Sequence, residues 1–466
     1  MTGFGTSVCH GCPGDGSLPP CPCRAPVKNR QMKERYAKGV FWAAISAGVS
    51  QGAIYLTGVI VARILGREVY GQLAAVQNVV VACAAVSTAG MGLTATRYVA
   101  EYRRVDPEKA GRILGLCFAV TAAVGCVVTA VLFGAAGFIA QQMFRAPDLA
   151  PAFRAASFYV LFFAMNAYQA GALTGLEAFR GMALAALLQS ALSPAVAFAL
   201  TGRFGLVGGA GALSVTAAFS WAVWQLLMVR KCREFSIVRQ MSGVREEAGV
   251  LSGFALPAVM AGVLVNGVLW ASSVILSRQP GGFGEMAVYN AANMLRNFLL
   301  FVPVIGSKVA TPILCNIGGE GDAQAFRRVW RGNIIVCAVP ALALAALLGV
   351  ASPLFLSTFG KGFSEGVTAS RILLVSGVLE VLSVGFYQVI PSSGKMWWQF
   401  WAALVWAGIW LGLAVALIPA FGAAGLAASS LGAWGIALLI YIAMARRLLA
   451  AREMEAEPEQ CPVSVS

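Results

Sequence analysis

Phe204-Gly205-Leu206-Val207-Gly208 is followed 217 residues later by Phe421-Gly422-Ala423-Ala424-Gly425, and Ala185-Ala186-Leu187 matches Ala402-Ala403-Leu404 at the same offset. Earlier in the chain the offset is 215. Gln51-Gly52 matches Asn266-Gly267, Arg63 matches Arg278, and Asn78 matches Asn293. Ala95-Thr96 then matches Ala310-Thr311, and Arg112 matches Arg327. Each match is short and lies in Ala/Gly-rich sequence, so the near-constant offset carries the argument. Each copy holds six apolar stretches of roughly 20 residues, the length that crosses a bilayer core as a helix. Two like bundles facing each other across a central cavity is the plan of a transporter.

Composition agrees. The chain is 59% hydrophobic and only 12% charged, with a mean hydropathy of +0.76; soluble domains carry roughly 25% charged residues. The expected fold is an all-α polytopic membrane protein of about twelve transmembrane helices. Spans are placed near 39–62, 72–95, 113–139, 153–173, 181–201 and 206–229, then 250–277, 286–307, 333–356, 367–390, 398–418 and 422–445. Domains follow as an N-terminal six-helix bundle (33–229), a linker (230–247) and a C-terminal six-helix bundle (248–447). A tail closes the chain at 448–466.

The formal charge of +14 is distributed by topology. Of the 34 Lys and Arg residues, 25 flank the side that holds both termini, 8 the other side, and Arg296 sits within a span. Cytoplasmic flanks carry the Lys/Arg excess, so both termini are expected in the cytoplasm of a prokaryotic plasma (inner) membrane. The basic flanks attract anionic membrane lipids. No basic stripe lies on a soluble unit, so nucleic acid is not an expected partner.

Residues 1–32 are Gly/Pro-rich and read as a disordered tail, with translation from Met32 as an alternative. Cys9-His10-Gly11-Cys12 and Cys21-Pro22-Cys23 are spacings that can bind zinc. The composition cannot bury a core around them, and neither a metal nor a cofactor is expected. His10 is the only histidine, so histidine-based catalysis and proton relays are excluded from the membrane body. The eleven cysteines give no readable disulfide framework.

A charge in mid-membrane is costly and defaults to a functional reading. Arg296 lies mid-way through the eighth span and Glu380 mid-way through the tenth. Tyr289, Asn293, Arg296 and Asn297 share one helix face by spacing, as do Ser376, Glu380, Ser383 and Tyr387. Asn266, Trp270, Ser273 and Ser277 form a third stripe, and Gln51 with Tyr55, and Asn78, place amides in the first half. The candidate substrate cavity is therefore Arg296, Asn293, Asn297, Gln51, Asn78 and Asn266. Guanidinium suits phosphate oxygens, and Glu380 is assigned to coupling or to an ion pair with Arg296. A purely structural Arg–Glu pair is the competing reading. Arg63 and Arg97, at span ends, are gate or headgroup candidates.

Ala62-Arg63-Ile64-Leu65-Gly66-x-x-x-Tyr70-Gly71 resembles the polysaccharide transporter (O-antigen flippase-like) family. That family shares a superfamily with MATE exporters and lipid II flippases. Residues 90–102, 173–180 and 204–208 extend the likeness over about 33–447. These are turn and packing motifs, with Gly66 and Gly71 assigned to one external loop and Gly205 and Gly208 to another. The resemblance implies a flippase, not an enzyme, that moves a lipid-diphosphate-linked oligosaccharide by alternating access. It makes a polysaccharide polymerase and a chain-length regulator candidate partners. A MATE-like multidrug or ion antiporter is the alternative. A membrane-embedded glycosyltransferase or polymerase is the third reading; it lacks visible catalytic residues and a sizeable external loop.

Overall fold

The computed structural model describes residues 29–88, 90–239, 249–320, 323–392 and 396–456; most of the N-terminal tail with its cysteines and His10, and most of the distal linker, lie outside them. Among the described residues the chain is all helical. The helices are α1 (Asn29–Ser87), α2 (Met91–Tyr102), α3 (Pro107–Phe138), α4 (Ala150–Gly175), α5 (Phe179–Glu234) and α6 (Gly249–Ser277). After them come α7 (Gly282–Glu320), α8 (Ala323–Ser357), α9 (Val367–Tyr387), the single turn α10 (Val389–Ser392) and α11 (Met396–Ala456). Among the described residues, seven helical stretches are long and apolar enough to cross a membrane by length and composition.

Three helices are too long to be single rods. A straight helix of the 56 residues of α5 would extend about 84 Å, far beyond a hydrocarbon core of about 30 Å. Each folds back at one glycine whose backbone a side chain would strain: Gly66 (φ 78°, ψ 171°), Gly205 (φ 55°, ψ −130°) and Gly422 (φ 53°, ψ −125°). Contacts across the Gly205 and Gly422 turns show the reversal. Gln189 Oε1 accepts from Ser220 Oγ at 2.9 Å within α5, and Trp406 packs on Trp434 at 5.6 Å within α11.

The duplication survives in these turns. Left-handed positions at Gly66, Arg145 and Gly205 recur at Gly281, Gly360 and Gly422, at offsets of 215, 215 and 217. The second glycine of each Phe-Gly-x-x-Gly motif serves a different purpose. A Cβ on Gly208 would overlap the Leu200 carbonyl, and one on Gly425 the Leu417 carbonyl. Gly71 likewise meets the Phe283 carbonyl of α7. It is a close approach between halves and not part of a loop, as its motif had suggested.

One feature is not duplicated. The second span, expected over 72–95, ends at Ser87, and Gly90 (φ 69°, ψ 4°) starts α2 as a separate helix. Its counterpart region is continuous in α7. The second and third family-like motifs meet here. Thr96 Oγ1 donates to the Gly171 carbonyl at 3.1 Å, and Arg103 holds the Gly175 carbonyl and Glu177 at the end of α4.

Among the described residues, the core is joined at one end only. The largest cluster draws Val61, Tyr70 and Phe153 from the first half together with Leu276, Met286, Phe359 and Trp410 from the second. Further along the helices the halves have separate cores. One is built on Ile113, Leu114, Tyr168 and Met228, the other on Phe326, Trp330, Val389 and Leu448. Residues 323–331 begin α8 and residue 357 ends it, so this second pair of clusters lies away from the Gly66 turn.

Gly205→Ala and Gly422→Ala place a side chain in equivalent strained turns. Each should destabilise the protein by about 1–3 kcal/mol through backbone strain. The thermal unfolding midpoint should fall further for Gly422→Ala, whose Cβ would also overlap Glu285 Oε2, than for Gly205→Ala, whose Cβ meets open space.

Candidate functional site

At the Gly66 end, each half caps a helix of the other. Arg63 Nε donates to the Thr358 carbonyl at 2.7 Å, just beyond the C-terminus of α8. Arg278 Nε donates to the Met143 carbonyl at 2.9 Å, and its Nη2 to Gln142 at 2.8 Å, in the π-helical extension of α3. Both the arginines and the carbonyls Met143 and Thr358 are related by 215 residues. The chemistry is that of a helix C-terminus, whose last carbonyls lack partners and whose dipole favours a cation. The reciprocity is that of a two-fold contact, in which each side offers the same group to the same site.

A second, one-sided network lies beside it. Arg67 donates to the Gly284 carbonyl at 3.2 Å and pairs with Glu285 at 3.2 Å and Glu365 at 2.7 Å. Glu285 also accepts from the Ala423 amide at 2.8 Å, so one carboxylate joins three chain turns. Tyr55 adds an aromatic tie, with its hydroxyl 2.6 Å from Thr358 Oγ1 and its ring 4.2 Å from that of Phe355.

Mid-way along α7, Arg296 donates through Nη2 to the Glu380 carboxylate of α9 and through Nη1 to Asn293 Oδ1 at 3.2 Å. The side chains are 14% and 19% exposed. Arg296 Nε is buried without a partner among the described residues. Gly377 makes room for the arginine, since a Cβ there would lie 3.3 Å from Arg296 Cγ.

The other candidates do not converge on this pair. Asn78 donates to Ser273 Oγ at 2.8 Å and ties α1 to α6. Asn266 bonds the Gly262 carbonyl of its own helix at 2.8 Å. Gln51 and Asn297 are both partly buried. The face carrying Ser376 and Glu380 divides, because Ser376 Oγ meets Ser430 of α11 at 2.7 Å. Arg97 is exposed on α2, 5.4 Å from the Tyr98 ring centroid, and does not join Arg63. A cavity of about 530 Å³ lies mainly between α2 and α4, lined by Gly90, Leu93, Phe163 and Gly171, with Gly262 the one lining residue from the second half. Arg296 does not line it. Among the described residues, no group of His, Cys, Asp and Glu is placed to hold a metal.

Sequence reasoning missed Arg67, Arg278, Glu285 and Glu365 as site residues. Arg278 was in view as the repeat mate of Arg63. Its partner is a backbone carbonyl, which has no residue-type signature.

Residues 36–317 match the family model of the polysaccharide biosynthesis proteins. The chain belongs to that family. Its fold is that of the MOP superfamily transporters. An inward-facing multidrug resistance MATE family transporter aligns with a TM-score of 0.76 and 17% identity, over 89% of this chain and 99% of that one. An outward-facing MATE structure gives 0.68 and 18%, over 89% and 96%. A transporter of the superfamily from Pyrococcus furiosus, described as having a binding pocket of reverse polarity, gives 0.67 and 17%, over 89% and 96%. A search of the curated proteins finds no match. This polysaccharide biosynthesis family member is thus a multi-pass membrane protein of transporter fold.

If Arg296 and Glu380 stabilise each other as a buried pair, removing one leaves the other charge uncompensated, at a cost of about 3–5 kcal/mol. Arg296→Ala and Glu380→Ala should each lower the unfolding midpoint more than the double variant does. The double-mutant cycle measures the coupling directly.

Proposed function

We propose that this protein is a flippase that carries a lipid-diphosphate-linked oligosaccharide across a prokaryotic plasma membrane by alternating access. The chain crosses the bilayer twelve times, because α1, α5 and α11 each make two passes, and both termini are cytoplasmic. The Gly66 end is then the outer face. A glycan cannot cross hydrocarbon unaided because its polar groups lose their hydration. The prenyl tail can remain in lipid while the glycan passes between the bundles.

The observation that carries this reading is that, among the described residues, the halves are joined at one end only. There the reciprocal arginine caps and a shared apolar core close the molecule, while the cores are separate at the other. The higher TM-score against the inward-facing MATE structure supports a conformation open to the cytoplasm. Substrate class is inferred from the family description and from Arg296, whose buried Nε and pairing with Glu380 give a phosphate a cation to compete for. Glu380 holds the arginine when the lipid is absent. A polysaccharide polymerase and a chain-length regulator are the proposed protein partners.

A MATE-like multidrug antiporter is the second reading. The specific observation in its favour is the intramembrane carboxylate of Glu380, which would bind a cation directly. The readings separate in a deletion strain. Loss of surface polysaccharide with unchanged drug sensitivity supports the flippase; drug sensitivity with intact polysaccharide overturns it.

Arg296→Ala should reduce surface polysaccharide at least about tenfold while the protein still accumulates in the membrane, the size expected for losing one charge-assisted contact. Export at the wild-type level would remove Arg296 from the substrate path.

A further inference from the structure

A groove of about 570 Å³ opens between α8 and α11, at the end of the molecule away from the Gly66 turn. Its polar rim is Arg327, Arg331 and Arg446, and its apolar wall includes Trp330, Ile335 and Ile442. Trp330 is locked in place by a 2.9 Å bond from Nε1 to the Gly385 carbonyl. The apolar wall continues onto an exposed apolar face of a membrane-spanning helix: Ile335, Val336 and Val339 are 61%, 65% and 59% exposed. Three arginines and an apolar wall thus line the same groove.

The internal repeat supplies the control. Subtracting 215 from the α8 wall gives residues 112–120 of α3, and subtracting 217 from the α11 wall gives residues 225–232 of α5. In the first half this place is filled by the chain itself. After α5 the linker turns back, and Ile237 is buried at 4% exposure in the core of that half. The carbonyl of Val238 lies against Gly111, and the Arg239 guanidinium sits 4.0 Å over the Phe118 ring. In the second half α11 instead runs on as helix to Ala456, and among the described residues nothing fills the equivalent surface.

We infer that the groove formed by Arg327, Arg331 and Arg446 is a binding site for an anionic phospholipid, which fills the place the linker occupies in the first half. The phosphate meets the arginine rim, where guanidinium forks match its oxygens. One acyl chain lies along Trp330, Ile335 and Ile442. Basic pockets between helices at a membrane face take phosphate headgroups in this way. The site is separate from the Arg296–Glu380 pair and does not depend on the glycan assigned above.

Native mass spectrometry of the full chain in detergent tests this, with phosphatidylglycerol, phosphatidylethanolamine and inorganic phosphate as probes. Discrete phosphatidylglycerol adducts are expected, about tenfold favoured over phosphatidylethanolamine, with none from phosphate alone. Arg331→Gln with Arg446→Gln should lower phosphatidylglycerol occupancy about tenfold. Arg230→Gln with Arg233→Gln, which removes the same charge where the linker fills the groove, should leave it unchanged. Equal binding of the two lipids by the wild-type chain would overturn the site, whatever the stability of the variants. So would an equal loss in the control variant, which would reduce the effect to general surface charge.

Discussion

Helix ends leave their last carbonyls without intrahelical partners, and this chain caps two of them by exchange between its halves. Arg63 caps α8 and Arg278 caps the extension of α3. Because both donors and both acceptors are related by the same 215 residues, neither half completes its own helix end. The shared core around Tyr70, Phe153, Phe359 and Trp410 packs beneath these caps, and the glycine turns at 66 and 281 set the arginines close to their partners.

Function, on this account, resides where the duplication fails. The turns and caps recur in both halves. The Arg296–Glu380 pair, the Arg67–Glu285–Glu365 network and the open arginine groove do not. The break at Gly90 that frees α2 is also confined to one half. Two bundles of equal backbone plan can rock against each other symmetrically, whereas a substrate and its lipid environment are read by unequal side chains.

Much of the fold was legible because turns and periodic apolar runs have residue-type signatures. Gly66, Gly205 and Gly422 announced the reversals, and the offsets announced the repeat. Gly71 did not declare its role, since a glycine in a turn and one in a close helix contact are the same letter. The second span was drawn too long because Gly90 reads as an ordinary small residue in an apolar run. The candidate site was only partly readable. Spacing put Arg296 beside Asn293 on one helix face, and depth suggested Glu380 as its partner. The amides Asn78 and Asn266 shared the expected depth but bond Ser273 and their own backbone. Spacing fixes a residue's face on its own helix, while the neighbour it meets depends on how the helices pack.

In the proposed transport cycle the reciprocal caps hold one end closed and then part. Electron–electron double resonance between spin labels at Glu68 and Lys361, on a cysteine-depleted but export-competent protein, measures this directly. Both positions are exposed, and they lie on opposite halves flanking the Arg67 network. The account predicts one short distance in the ligand-free protein and a second, longer population when the lipid-linked sugar is added. A single unchanged distance in both conditions, with export intact, would contradict it.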